Sequence, residues 1–332
     1  MNSFYNDFLR LKRATIKSQG KFIFRSKDYI SHKKEDLTFS PLQDTTTDIV
    51  GFIDGGQQIL FESPSFLIGM VRVAVSLWRG SKRYAMKVKE FIVFLQAEEK
   101  GYTSKCYDMQ GMPVQPFKTM DINTINHLDA DDGESAISML RRFSELLMAA
   151  DIAGQVDVIC IDGSLRCFSG TENHIMNQLL KQAAKRGVIV SGLQKSTSMM
   201  ADNSSTIQSL EPSYNAGAWI TSPLCINNTM MHPANIHIIK LHKDAAHRFV
   251  IDIARGYDQV KTGVSLLATS SDPLFIGYPY GMIDVDRLAR IEDSRKEQSR
   301  LDIRKLLAGS NEFLDREILS KNAHEILDSM SF

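Results

Sequence analysis

Apolar positions recur in two rhythms along the chain. Residues 47–53 ("TDIVGFI"), 66–78 ("FLIGMVRVAVSLW") and 84–96 ("YAMKVKEFIVFLQ") are rich in β-branched and aromatic side chains and are separated by turn-forming "SPS" and "RGSKR" segments. This predicts three sequential strands. From residue 134 the period lengthens. In "ESAISMLRRFSELLMAADIAG" Ile137, Leu140, Leu147 and Met148 recur near helical spacing, and Gly154 supplies a stop. A strand "VDVICI" (156–161), a helix "ENHIMNQLLKQAAKR" (172–186) and a strand "GVIVSGLQK" (187–195) follow.

The flanking regions read differently. Residues 1–45 are expected to form an arm that opens with a helix carrying Phe4, Phe8 and Leu9 on one side and continues through the polar "RSKDYISHKKED". Residues 101–135 form a long irregular connection, and 196–219 a polar loop. "NIHIIKL" and "HRFVIDIA" predict a two-stranded addition, "DQVKTGVSLLATSS" a short helix and "GYPYG" a turn. A long charged helix over 284–307 and a last helix over 316–330 close the chain. The central order, β-β-β-α-β-α-β, joins an antiparallel meander to parallel βαβ units in one mixed sheet. That is how a ribonuclease H-like α/β fold is assembled. The expected organisation is an arm over 1–45 and a single domain over 46–332. Its core spans 46–195 and 270–300, an insertion spans 196–269, and C-terminal helices occupy 301–332.

Composition narrows the class. The chain has 332 residues, enough for a sizeable core, with 43% hydrophobic and 23% charged residues. No run approaches the roughly 18 apolar residues of a membrane span, and the N-terminus lacks a secretory stretch, so a cytoplasmic location without membrane association is expected. The four cysteines have no zinc-ligand spacing, which fits a reducing compartment. His232, His237, His242 and His247 recur every five residues. An odd interval alternates faces along a strand, so they are read as ordinary strand and loop histidines. With 39 basic and 39 acidic residues the formal net charge is zero, so a polyanion would be held by local patches.

Two apolar runs meet the same tripeptide. "TDIVGFIDGGQQ" reaches Asp54 and "VDVICIDGSL" reaches Asp162, each followed by glycine. Asp-Gly is a common turn dipeptide. In a ribonuclease H-like sheet, however, the first and fourth strands lie side by side, and both carboxylates then face one place. Hard oxygen ligands there suit Mg²⁺ or Mn²⁺, and two such ions roughly 3.5–4 Å apart can clamp a phosphodiester. Glu145, on the helix that feeds Asp162, is the candidate third ligand; its alternative role is an ion pair with Arg141 or Arg142. Glu134 competes but fits a helix-start role. Lys195, at the end of its strand, is placed either to neutralise a scissile phosphate or simply to face solvent.

The ordered set "IVGFIDGGQQ", "RRFSELLMAADI", "VICIDGSL", "VIVSGLQKSTS" and "GYPYGMIDVDRLARI" resembles the NurA-type nucleases over residues 45–295. The resemblance implies metal binding by Asp54, Glu145, Asp162 and Asp286, with Lys195 and Tyr278 steadying the scissile phosphate. It draws Pro279 into the same motif. Many members carry histidine where this chain has Asp286, and Asp284 is the neighbouring competitor. It further implies a Mn²⁺-dependent (or Mg²⁺-dependent) 5′-to-3′ exonuclease with a two-ion site, active on single- and double-stranded DNA and in some members as an endonuclease. Members work as homodimers with a HerA-type hexameric ATP-driven translocase, in end resection at double-strand breaks or in phage defence. In a dimer, "WRGSKR" and "KQAAKR" would line a DNA channel despite the zero net charge. The competing class is a non-catalytic adaptor or DNA clamp on the translocase, against which the retained carboxylates speak. An Argonaute-type, RNA-directed nuclease would need guide-binding domains for which the chain shows no sign.

Overall fold

A computed structural model describes residues 20–318 apart from short stretches at 25, 44–47, 126, 198, 200–205, 214–216 and 256–259, together with residues 6, 9 and 10. The helix expected at the chain's start and the one expected over 316–330 fall largely outside the described residues. The strands are β1 (Tyr29–Ser31), β2 (Phe39–Pro41), β3 (Ile49–Glu62), β4 (Phe66–Arg79), β5 (Lys82–Ala97), β6 (Tyr102–Tyr107), β7 (Val158–Asp162), β8 (Ile189–Gln194), β9 (Trp219–Thr221), β10 (Cys225–Asn227), β11 (Ala234–Lys240) and β12 (Phe249–Ala254). The helices are α1 (Gly133–Ile152), α2 (Gly170–Ala184), α3 (Val260–Thr269), α4 (Tyr280–Ala289) and α5 (Asp293–Leu306).

The fold is α/β with a mixed sheet, in the order β2-β9-β11-β12-β8-β7-β3-β4-β5-β6. At its centre β3, β7 and β8 run parallel, while β3, β4, β5 and β6 form an antiparallel meander. The expected β-β-β-α-β-α-β order is therefore present, with four departures. β6 occupies the start of the segment expected to be irregular. The predicted two-stranded addition, β11 and β12, is not an appendage, because β12 pairs with β8 and continues the main sheet. Residues 29–41, expected as part of the arm, contain β1 and β2, which pair with β10 and β9; Phe39 meets Trp219 edge-on and holds β2 in place. The single long helix expected over 284–307 is two helices, α4 and α5. Arg290 is extended there (φ −63°, ψ 132°), and Ile291 turns into an apolar cluster with Leu60 and Met70.

Strand alternation assigns each face its helices. On β3 and β7, Ile53, Ile159 and Ile161 pack with α1 and α2. Val50, Phe52, Val158 and Cys160 pack with α3 and α4. All four cysteines are free and buried. Among the described residues no helix is long and apolar enough to cross a membrane.

Candidate active site

The parallel register pairs Ile53 with Ile161, so Asp54 and Asp162 are the next residues on neighbouring strands. By alternation both belong to the α4 face, with Phe52 and Cys160. The next strand continues the row: Asp162 pairs with Leu193 on β8, and Lys195 lies two residues beyond on the same face.

Contrary to the turn reading, β3 does not end at Asp54. It runs on through Gly55 and Gly56 to Glu62. The two glycines exist because helices press on both faces. A Cβ on Gly55 would lie 2.7 Å from a Glu145 carboxylate oxygen, and one on Gly56 would lie 2.2 Å from the carbonyl oxygen of Ala289. Only the second Asp-Gly is a true turn, with Gly163 at φ +89° and open space around it.

The close approaches also fix α4. A Cβ on Gly281 would strike the Phe52 ring, just as one on Gly56 would strike Ala289. Eight helical steps rise about 12 Å, and four strand steps from Phe52 to Gly56 cover about 13 Å. Helix and strand therefore advance together, and Asp286 comes abreast of Asp54. Asp54, Asp162 and Asp286 each offer one carboxylate oxygen, and these oxygens lie within 4.8 Å of one another. Asp284 is directed elsewhere: it accepts from Ser76 Oγ at 2.6 Å and Arg83 Nη1 at 2.9 Å.

Lys195 Nζ lies 2.8 Å from Asp162, 2.7 Å from Asp286 and 3.8 Å from Asp54. Burial works against its charge, yet Asp162 and Asp286 outweigh it and hold the ammonium above the usual lysine value. Tyr278 donates to Asp162 Oδ1 at 3.4 Å; burial and the Asp162 charge keep its hydroxyl protonated far above the usual phenol range. Burial is also the main reason the Asp54 carboxyl is pushed up to about 7, with Asp162 and Glu145 adding to it and Lys195 opposing. For Asp286, burial is overcome by Lys195 and Arg290, and the carboxyl is held low.

Glu145 stands apart from this cluster. It lies on α1, on the opposite face of the sheet, and is 1% exposed. Arg141 and Arg142 both pair with it, and burial pushes its carboxyl up against the pull of those guanidiniums. The ion-pair alternative is thus what the structure displays, though in a buried setting. Glu134 lies in the first turn of α1, capped by Asp132, 11 residues from Glu145 and so about 16 Å along the helix.

The donor set suits one divalent cation. Three carboxylates against Lys195 and the Arg290 guanidinium beside Asp286 leave a formal charge of −1 when all are ionised, and the oxygens are hard ligands.

Several participants were not singled out in the sequence. Asp252, fully buried, accepts from Ser164 Oγ at 2.6 Å and the Leu165 amide at 2.9 Å, and pairs with His232 at 2.9 Å. Tyr29 meets the other His232 nitrogen at 3.0 Å. The network clamps the turn that follows Asp162, so His232 is more than the ordinary histidine the spacing suggested. That spacing carried no signal for it, because its partners come from residues 29, 164 and 252. Beyond the turn, Arg141, Arg166 and Phe168 line a cleft of about 280 Å³ that reaches Asp162. Phe168 is 80% exposed, its amide is held by Glu172 at 2.8 Å, and the Arg166 guanidinium lies 5.5 Å from its ring centre. An arginine and an aromatic residue between a strand-ending Asp and a helix cap was the available signal.

No protein-family model and no curated protein matches the sequence. Among solved structures, the chain is similar to the NurA nuclease from Sulfolobus solfataricus, at 13% identity and a TM-score of 0.54, over 93% of this chain and 94% of that one. The catalytic domain of human endonuclease V aligns over 93% of this chain and 99% of that one, at 10% identity and a TM-score of only 0.37. The first likeness shows a shared fold over nearly the whole chain; the second is too weak to add to it.

Proposed function

We propose that the protein is a metal-dependent nuclease that hydrolyses phosphodiester bonds in DNA. One observation carries this reading: three carboxylates from two neighbouring strands and a helix converge on Lys195 at the carboxyl ends of the parallel strands β7 and β8, beside the middle of β3. Ligands of open α/β sheets bind at such ends. The fold shared with a nuclease supports the same conclusion.

Asp54, Asp162 and Asp286 would hold a divalent cation, Mn²⁺ or Mg²⁺. Bound there, the ion supplies charge neutralisation at the scissile phosphate and activation of water for attack. Lys195 adds a fixed positive charge for the phosphate's non-bridging oxygens. Tyr278 keeps its proton and orients Asp162. Asp286, held ionised by Lys195 and Arg290, is the ligand ready without proton loss, whereas Asp54, its carboxyl pushed up to about 7, has a proton to release on cation binding at and below neutral pH. Glu145 does not serve as a ligand while Arg141 and Arg142 hold it, so the site is assigned one tightly held ion, and a second would require those pairs to open. Glu145 and its arginines instead set the charge on the α1 side, where Arg141 and Arg166 offer a path for neighbouring phosphates.

The finer expectations belong to this proposal: 5′-to-3′ polarity, a homodimer, partnership with a HerA-type hexameric translocase, and cytoplasmic work in end resection or defence. Their support is the motif resemblance. The test is cleavage of 5′-labelled single- and double-stranded DNA with Mn²⁺, Mg²⁺ or EDTA, with and without a cognate translocase and ATP. Cleavage that requires the metal and releases label as short products supports the proposal and its polarity. Folded protein that leaves DNA intact under every condition would reverse it in favour of an adaptor.

A further inference from the structure

On the α4 face, beside the carboxylates, a cavity of about 430 Å³ is lined by Lys195, Phe249, Phe275, Ile276, Tyr278, Ile283 and Asp286. Its volume falls in the range of roughly 300–1,000 Å³ typical of small-molecule clefts, which are mostly apolar with a few placed polar groups. Here the polar groups are Lys195, Asp286 and the Tyr278 hydroxyl, and all belong to the candidate site. The rest of the wall is aromatic and aliphatic. Phe249 packs against Tyr278 with ring centres 5.1 Å apart, and Phe275 stands edge-on to Tyr280 at 5.4 Å.

Two features set this wall apart from ordinary core. Phe275 and Ile276, which line the cavity, are 44% and 53% exposed, and the adjoining Leu274, outside the lining, is 86% exposed. Ile276 also has φ +54°, the sole positive φ of a non-glycine residue among the described residues. A β-branched residue in the left-handed region is a genuine outlier, and such strain gathers at ligand-binding sites. Three backbone hydrogen bonds over-determine it: the Ile276 amide donates to the carbonyl of Pro273, that of Gly277 to Asp272, and that of Tyr278 to Phe275. The loop is thus fixed while its apolar side chains stand in solvent.

We infer that this cavity receives the base of the nucleotide adjoining the scissile phosphate, stacked against Phe275 and Ile276. The occupant follows from continuity. A phosphodiester on Lys195 places its own nucleoside within one nucleotide's reach of the cavity, and a nucleobase is the flat, largely apolar group that such walls accept. The inference rests on the nuclease reading and adds to it a base-dependent subsite on the side of the sheet opposite Arg166 and Phe168. Recognition by stacking tolerates all four bases and fails for a nucleotide that has none.

The experiment uses full-length protein with Mn²⁺ and single-stranded oligonucleotides, intact or carrying one tetrahydrofuran abasic residue at successive positions. The expected result is that kcat/KM at a phosphodiester flanking the abasic residue falls roughly tenfold, toward the low end of what one base stack is worth. Phe275→Ala and Ile276→Gly should cleave intact DNA about as slowly as the parent protein cleaves the abasic site, and should no longer distinguish the two. Glycine adopts a positive φ freely, so Ile276→Gly should keep its melting temperature, which separates loss of the wall from loss of the fold. Equal cleavage of abasic and intact sites by the parent protein would overturn the subsite alone. Discrimination retained in both variants would do the same. Absence of metal-dependent cleavage on every substrate would overturn the nuclease reading and the subsite with it.

Discussion

Replacing Asp54 with asparagine should stabilise the metal-free protein at alkaline pH. The Asp54 carboxyl is pushed up to about 7 from its ordinary 3.8, chiefly by burial. In the folded state its charged form therefore carries about 4 kcal/mol of unfavourable free energy, at 1.36 kcal/mol per unit of pKa. Below pH 4 the group is protonated in both the folded and unfolded chain and contributes nothing to the difference. As pH rises toward 7, the unfolded chain loses its proton while the folded chain keeps it, so stability falls, and the loss is complete above 7. Asparagine has the same shape and can still accept the Gly55 amide that Asp54 Oδ1 holds at 2.8 Å, but carries no charge. Allowing for imperfect amide pairing, Asp54→Asn should gain about 2–4 kcal/mol at pH 8. With an unfolding entropy of about 2.1 cal/mol/K per residue this is roughly 3–6 °C in Tm. Thermal melts in EDTA at pH 4.5, 6 and 8 read it directly, the gap opening as pH rises. Saturating Mn²⁺ should then raise the Tm of the parent protein and leave the variant nearly unmoved. A variant less stable than its parent at pH 8, or a gap that does not change with pH, would refute the reasoning.

Two further outcomes follow from the packing and the cleft. Gly56→Ala puts a methyl group against the Ala289 carbonyl oxygen and must push α4 off β3, so it should cost about 1–3 kcal/mol and lower kcat through displacement of Asp286; melts and single-turnover cleavage measure the two effects. Arg166, whose guanidinium makes no ion pair among the described residues, should act on DNA affinity: Arg166→Ala should weaken binding and reduce the slope of log K against log salt by about one, read by fluorescence anisotropy, with saturated turnover retained.

The central order of elements was legible because the period of apolar residues changes cleanly from strand to helix, and alternation then decided which residues could share a face. Asp54 and Asp162 emerged because two apolar runs reach the same Ile-Asp-Gly tripeptide on strands expected side by side; that Lys195 continues their row is seen in the strand register. Glu145 was harder to place. A helix following the meander was predictable, but the sheet face it packs on is set by tertiary contacts, its apolar side meeting Ile53, Ile159 and Ile161, and its arginines sit at ordinary helical spacing. The continuation of β3 through Gly55 and Gly56 was hidden because glycine signals turns locally, whereas here it answers to a helix on each face. β6 and the split between α4 and α5 are set by tertiary contacts, Ile291 turning inward among them, that leave little periodic trace. The Asp252–His232–Tyr29 network joins residues more than 200 positions apart and has no local signature.

The most direct test of the carboxylate site is Mn²⁺ binding, followed by electron paramagnetic resonance at pH 8 in the parent protein and in Asp162→Asn and Asp286→Asn. The account predicts one tightly bound ion per chain, lost or severely weakened in either variant, with cleavage of labelled DNA rising in step with occupancy. Binding that survives both substitutions, or DNA cleavage undiminished in EDTA, would contradict it.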